Sequence, residues 1–313
     1  MTILHAPLPE IRRAGLRRLL EIGAPVRAIE VHNGLSALIG SGAQAPTPSG
    51  EMRGFDALWL SSLTGSASRG LPDMEMYVLE RRLELIEEVG HASTKPLIVD
   101  GDTGGDPATF EHLCGRLERI GVSAVVIEDK QHPKRNSLCL DSTHALEEPR
   151  AFAMKIARGK AALQTRDFMI FARLESLIAG GTVAEALDRA QIYLGAGAAG
   201  VMIHSKAREP DEIFEFLARF RAGGRDEPVI CVPTTYNSVT ARELFEHGAT
   251  VVIHANHLLR AAHFAMQQAA RTILEADRSL ELDNSCTPVA DLFRFVGYEA
   301  ALKRERAAVE ASR

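Results

Sequence analysis

Eight short apolar runs rich in β-branched residues alternate along the chain with segments whose apolar residues recur at helical spacing. The runs are Val26–Val31, Ala57–Leu60, Pro96–Val99, Ala124–Ile127, Phe168–Ala172, Gly200–Ile203, Val229–Val232 and Val251–Ile253. Between them lie helical patterns at Met76–Glu88, Thr109–Ile120, Pro149–Leu163, Val183–Leu194, Asp211–Arg221 and Ala241–His247. Such alternation implies a parallel sheet, since each helix returns the chain to the start of the next strand. Gly121, Gly197 and Gly248 end helices just before strands, as short αβ loops require. Eight strands in roughly 230 residues match a closed (β/α)8 TIM-type barrel; an open doubly wound sheet would show fewer strands and a Gly-rich first turn. No GxGxxG follows the first run.

The 313 residues, 46% of them hydrophobic, suffice for one such barrel domain, with residues 1–24 as a helical lead and 293–313 as a polar helical tail. Gly40–Gly54, rich in Gly, Ala, Pro and Ser, reads as a flexible loop. Lys and Arg total 36 against 41 Asp and Glu, a net charge of -5, which offers no footprint for nucleic acid or an acidic membrane and points to small-molecule partners. No apolar run approaches the roughly 18 residues of a membrane span. Glu10, Arg12 and Arg13 interrupt any signal-peptide core, so a soluble cytoplasmic protein is expected. The four cysteines are scattered without a CxxC pair, which argues against a zinc site or a disulfide framework.

A barrel gathers the C-terminal ends of its strands around one mouth, where the active site of this fold sits. Those ends carry polar residues: His32, Ser61 and Ser62, Asp100 and Asp102, Glu128 and Asp129, Arg173 and Glu175, His204, Thr234 and Thr235, and Asn256. Asp100 and Asp102 would share a direction if their strand continued through them, and Glu128 and Asp129 close the neighbouring strand. Four clustered carboxylates repel one another, and a hard cation bound by oxygen, Mg²⁺ rather than Zn²⁺, relieves that repulsion. A single such Asp would more simply be a helix cap.

The basic loop Lys130–Ser137 follows the acids and reads as a lid, with Lys134, Asn136 and Ser137 offering donors to an anion. Arg173 suits a phosphoryl or carboxylate group, although an internal pair with Glu175 is the simpler alternative. His204 is equally a core histidine or a ligand contact, and Ser61-Ser62-Leu63 after Trp59 can form an anion nest.

The ordered series Glu30–Ser36, Trp59–Leu63, Asp100–Gly105, Glu128–Lys130 with Lys134–Ser137, Ala172–Ser176, Ile203–Lys206 and Ala255–Arg260 resembles the phosphoenolpyruvate mutase family of the isocitrate lyase superfamily, from about Ile29 to about Leu292. The resemblance implies an Mg²⁺-dependent barrel, usually a homotetramer with C-terminal helices exchanged between subunits. It implies interconversion of phosphoenolpyruvate and phosphonopyruvate, the step that commits carbon to phosphonate biosynthesis, with phosphoenolpyruvate favoured. It makes Asp100 the direct metal ligand, with Asp102, Glu128 and Asp129 acting largely through water. Ser61 and the amides of Ser62 and Leu63 would hold the carboxylate beside Trp59. Arg173, Asn136 and His204 would face the phosphoryl group, and Lys134 and Ser137 would belong to a water-excluding gate. Asp73 matches an aspartate important in the family.

The chain departs from the family pattern at Gly105-Asp106-Pro107, at His132 and at Gly40–Gly54. The alternatives are phosphonopyruvate hydrolase, which shares the metal site, and a barrel subunit without catalysis. A carbon–carbon lyase of the superfamily would need a Lys-Lys-Cys-Gly-His run that the loop lacks.

Overall fold

The computed structural model describes residues 7–139 and 143–312. Residues 1–6 of the expected helical lead and residue 313 of the tail lie outside that range. Eight parallel strands close into a barrel: β1 (Val26–Val31), β2 (Ala57–Leu60), β3 (Leu97–Asp100), β4 (Ala124–Glu128), β5 (Met169–Leu174), β6 (Gly200–Ile203), β7 (Val229–Cys231) and β8 (Val251–His254). Each pairs with its sequence neighbours, and β1 closes the ring on β8 with Val26 opposite Val251 and Ile29 opposite His254.

The pleat divides the core in two. Ala28, Trp59, Ile98, Val126, Phe171, Met202 and Ile253 fill the barrel interior. Alternate residues such as Ile29, Leu58, Val99, Ile127, Ala172 and Val201 pack outward against the helices. Each fully buried large apolar side chain contributes on the order of 2 kcal/mol by leaving water.

The described residues form twelve helices, in chain order α1 (Pro9–Glu21), α2 (Gly34–Gly42), α3 (Ser62–Ala67), α4 (Leu83–Ala92), α5 (Pro107–Arg119), α6 (Pro149–Ala161), α7 (Val183–Gly195), α8 (Asp211–Ala222), α9 (Ala241–Glu246), α10 (His257–Ala276), α11 (Val289–Phe295) and α12 (Tyr298–Ala311). Local chemistry sets their starts. Thr182 with Glu185 and Thr240 with Glu243 form capping boxes at α7 and α9, and Asp106 caps α5 behind Pro107. Gly121, at φ +82° after α5, admits no side chain: a Cβ there would lie 2.6 Å from Pro9 of α1.

Two readings of the sequence are corrected. Gly40–Gly54 is ordered secondary structure: α2 runs through Gly42, and a hairpin pairs Gln44–Pro46 with Met52–Gly54. Gly40 lets α2 lie against β1, since a Cβ would stand 2.8 Å from Ile29 Cγ2. The helix expected over Met76–Glu88 starts later, with a 3₁₀ turn at Leu79–Arg82 leading into α4. Residues 74–78 stay in a loop, in which Glu75 has φ +58°.

Beyond β8 the pattern changes. α10 buries none of its residues and exposes Phe264, Met266 and Leu274, the last at 84%. Buried Glu30 of β1 anchors its start by accepting the Leu258 and Leu259 amides at 3.0 and 3.2 Å. α11 and α12 likewise bury nothing. No described helix is long and apolar enough to cross a membrane.

Candidate active site

The mouth encloses a cavity lined by Trp59, Ser61, Ser62, Leu63, Asp73, Asp100, Lys134, Asn136, Ser137, Arg173 and His204, together with Thr234 and Asn256. Asp100 closes β3, and the chain then turns sharply, with Asp102 at φ +54° and the Gly104 amide returning to Gly101 O at 2.9 Å. That turn, rather than a continued pleat, joins the two carboxylates: the Asp102 amide donates to Asp100 Oδ1 at 3.1 Å. Ser62, opening α3, donates its Oγ to Asp100 Oδ2 at 2.9 Å.

Burial raises the Asp100 pKa, but Lys134, Arg173 and Arg82 outweigh it and hold the group down to about 2. Glu128, at the end of β4, is pushed by burial up to about 7, even with Arg173, Lys134 and Lys130 nearby. Neither of its carboxylate oxygens has a hydrogen-bond partner among the described residues. Asp102, also driven upward by burial, pairs with Arg82.

Asp129 departs from the expected four-acid cluster. Successive strand residues face opposite sides, and with Glu128 directed into the mouth, Asp129 is directed away from it. Its carboxylate accepts from Arg189 Nη1 at 2.9 Å, Tyr193 Oη at 2.8 Å and the Glu175 amide at 2.9 Å. It ties α7 to the ends of β4 and β5.

The loop after β4 lies closed over the acids. Lys134 is buried, with Nζ 2.8 Å from Asp102 Oδ1, 3.3 Å from Asp73 Oδ1 and 2.7 Å from Ser62 Oγ. Burial lowers its pKa, but Asp102, Glu128, Asp100 and Asp73 raise it well above the usual lysine value. Asn136 Nδ2 donates to Asp73 Oδ2 at 2.6 Å. The Ser137 hydroxyl donates to Glu175 Oε2 at 2.7 Å and accepts from Arg173 Nη2 at 2.8 Å and Lys130 Nζ at 2.5 Å, which uses its full hydrogen-bonding capacity.

Glu175 is the hub beneath this loop. It takes Arg173 Nε at 2.5 Å and Lys130 Nζ at 2.8 Å, and His204 Nδ1 lies 3.0 Å away. Burial raises its pKa, but Arg173, His204 and Lys130 bring it well below the carboxylate range. The Arg173–Glu175 ion pair is therefore present, and Arg173 still reaches the mouth. Burial, with Arg173 beside it, lowers the His204 pKa and favours the neutral ring. Nδ1 also lies 2.9 Å from Arg173 Nη2, so it either accepts from the guanidinium or donates to Glu175, not both.

Three participants carried no signal at a strand end. Arg82, fully buried, donates to Asp100 O at 2.6 Å and pairs with Asp102, yet sits in the short turn before α4. Lys130, at the start of the loop read as a lid, is buried. Glu75 ties the loop to the Asp102 turn from just before the segment read as helix.

The donor set fits a hard cation. The carboxylates offer oxygens, and the buried Glu128, Asp102 Oδ1 and Asp73 Oδ1 lack hydrogen-bond partners among the described residues, the last two being faced by the Lys134 ammonium. Among the described residues, no three His, Cys, Asp or Glu side chains converge closely enough to bind a metal directly. A cation here would accordingly keep much of its water, as Mg²⁺ does.

The family model described as phosphoenolpyruvate phosphomutase matches residues 16–274. A phosphoenolpyruvate phosphomutase of Tetrahymena pyriformis is 37% identical over 270 residues, 86% of each chain. The crystal structure of a phosphoenolpyruvate phosphomutase from Streptomyces platensis subsp. rosaceus superposes with a TM-score of 0.88 at 36% identity, covering 95% of this chain and 99% of that one. A phosphonopyruvate hydrolase, solved in complex with oxalate and Mg²⁺, gives 0.82 at 33% identity, covering 96% and 98%. Similarity in sequence over most of the chain and in barrel architecture thus converges on one assignment: the chain belongs to the phosphoenolpyruvate phosphomutase family.

Proposed function

We propose that this enzyme interconverts phosphonopyruvate and phosphoenolpyruvate at the mouth of the barrel, with Mg²⁺ held by Asp100 directly and by Asp102 and Glu128 through water. Asp129 supports the site from outside, through the end of β5. When bound, Mg²⁺ neutralises negative charge on the carboxylate and enolate oxygens of the pyruvyl unit.

In the direction of phosphoenolpyruvate, the bond between phosphorus and C3 breaks, leaving its electron pair on the enolate. The phosphoryl group then bonds to the C2 oxygen, so atoms and electrons balance without a co-reactant. Little covalent chemistry is asked of the protein; positioning and charge stabilisation suffice. Ser61 and the Ser62 and Leu63 amides hold the carboxylate beside Trp59, whose buried Nε1 has no partner among the described residues. Arg173, His204 and Asn136 hold the phosphoryl group, Asp73 orients the Asn136 amide, and Lys134 with Ser137 closes the site to water.

The observation that supports this reading over hydrolysis is the closed loop, which places Lys134, Asn136 and Ser137 over the acids, where they shield the site from water. Growth of the enol-ester absorbance from phosphonopyruvate, dependent on Mg²⁺, tests it. Release of pyruvate at the rate of substrate loss contradicts it.

The unburied α10–α12 arm and its exposed Phe264, Met266 and Leu274 support a homo-oligomer in which these helices exchange between subunits. Sedimentation of the wild type as a dimer or tetramer is expected, with Phe264→Asp and Leu274→Asp together shifting it to smaller species. A monomer at micromolar concentration contradicts the exchange.

A further inference from the structure

We propose that Glu75 is a positioning residue that latches the loop shut and couples its closure to the turn carrying Asp102. The inference rests on the reaction proposed above. The Glu75 side chain is only 6% exposed, and both of its oxygens are committed. Oε1 accepts from the Thr103 amide at 3.1 Å and the Thr103 hydroxyl at 2.7 Å, immediately after Asp102. Oε2 accepts from the Lys134 amide at 2.7 Å and lies 2.9 Å from His132 Nδ1. One carboxylate therefore bridges the metal-site turn and the backbone of the loop residue whose ammonium covers the acids.

Its backbone, at φ +58°, is in the left-handed region, which disfavours a side chain with a Cβ and persists where surrounding contacts enforce it. Asp73, two residues earlier, holds Asn136. The segment from Asp73 to Glu75 thus grips the alternate loop residues 132, 134 and 136. A carboxylate accepting several N–H and O–H donors in a buried setting makes strong bonds, so closure depends on Glu75 more than on the exposed loop surface.

Two readouts test the latch in Glu75→Ala and in the milder Glu75→Gln. The first is the rate of tryptic cleavage at exposed Arg135, which reports loop opening without requiring activity. It is expected to rise about tenfold or more in Glu75→Ala and less in Glu75→Gln. The second is the partition of phosphonopyruvate between phosphoenolpyruvate and inorganic phosphate, expected to move toward phosphate by about tenfold as water enters. Wild-type cleavage and partition in both variants overturn the latch. Faster cleavage with unchanged partition overturns the positioning role. Should Glu75→Ala fail to fold, Glu75→Gln decides on the same terms. A wild type that makes no phosphoenolpyruvate refutes the reaction instead, and the cleavage rates still decide whether Glu75 holds the loop.

Discussion

Asp100→Ala should lose turnover by at least about 10³-fold while the barrel stays folded. The expectation follows from the imbalance the change would create. Asp100 is held ionised, at about 2, by Lys134, Arg173 and Arg82. Removing it leaves those cations facing one another and deprives a bound metal of its proposed direct ligand. The backbone should tolerate the loss, because Arg82 grips the Asp100 carbonyl, which every substitution keeps. Asp100→Asn preserves the shape and an acceptor for Ser62 but removes the charge, so it should be nearly as inactive. In calorimetry, both variants should lose Mg²⁺-dependent binding of oxalate, a planar mimic of the pyruvate enolate. Undiminished turnover in Asp100→Ala would remove the metal assignment.

Arg173→Lys is expected to lower kcat by about 10²–10⁴-fold, from two lost charge-assisted hydrogen bonds of roughly 1.5–3 kcal/mol each. The guanidinium fork simultaneously reaches Glu175 through Nε, Ser137 and His204 through Nη2, and Glu128 through Nη1 at 3.4 Å. A lysine ammonium is a point charge and cannot span these directions. The charge survives the substitution, so KM should change far less than kcat. Activity within about threefold of wild type would show that charge alone, and not the oriented fork, serves the phosphoryl group.

The eight strands were legible because each is an apolar run with a turn signal, and their ends agree with the structure to within two residues. The β5 run was read only as far as Ala172 because charged Arg173 resembles a terminus, whereas the strand continues through Arg173 to Leu174. The pleat already contained the separation of Glu128 from Asp129, since adjacent strand residues face opposite ways. Composition hid the end of α2, where Gly40–Gly42 read as loop, and the capping box of Asn33 and Ser36 at its start went unread. Arg82 and Glu75 were not legible, and for Lys130 the motif marked the position but not the burial. Their roles arise from contacts across distant segments, and nothing in their local spacing distinguishes a buried charge from a solvated one.

The destination of the phosphoryl group separates a mutase from a hydrolase. ³¹P NMR of the enzyme with Mg²⁺ and phosphonopyruvate should show the phosphonate resonance replaced by that of phosphoenolpyruvate, with little inorganic phosphate. Inorganic phosphate as the sole new signal would contradict the mutase reading and make the enzyme a hydrolase.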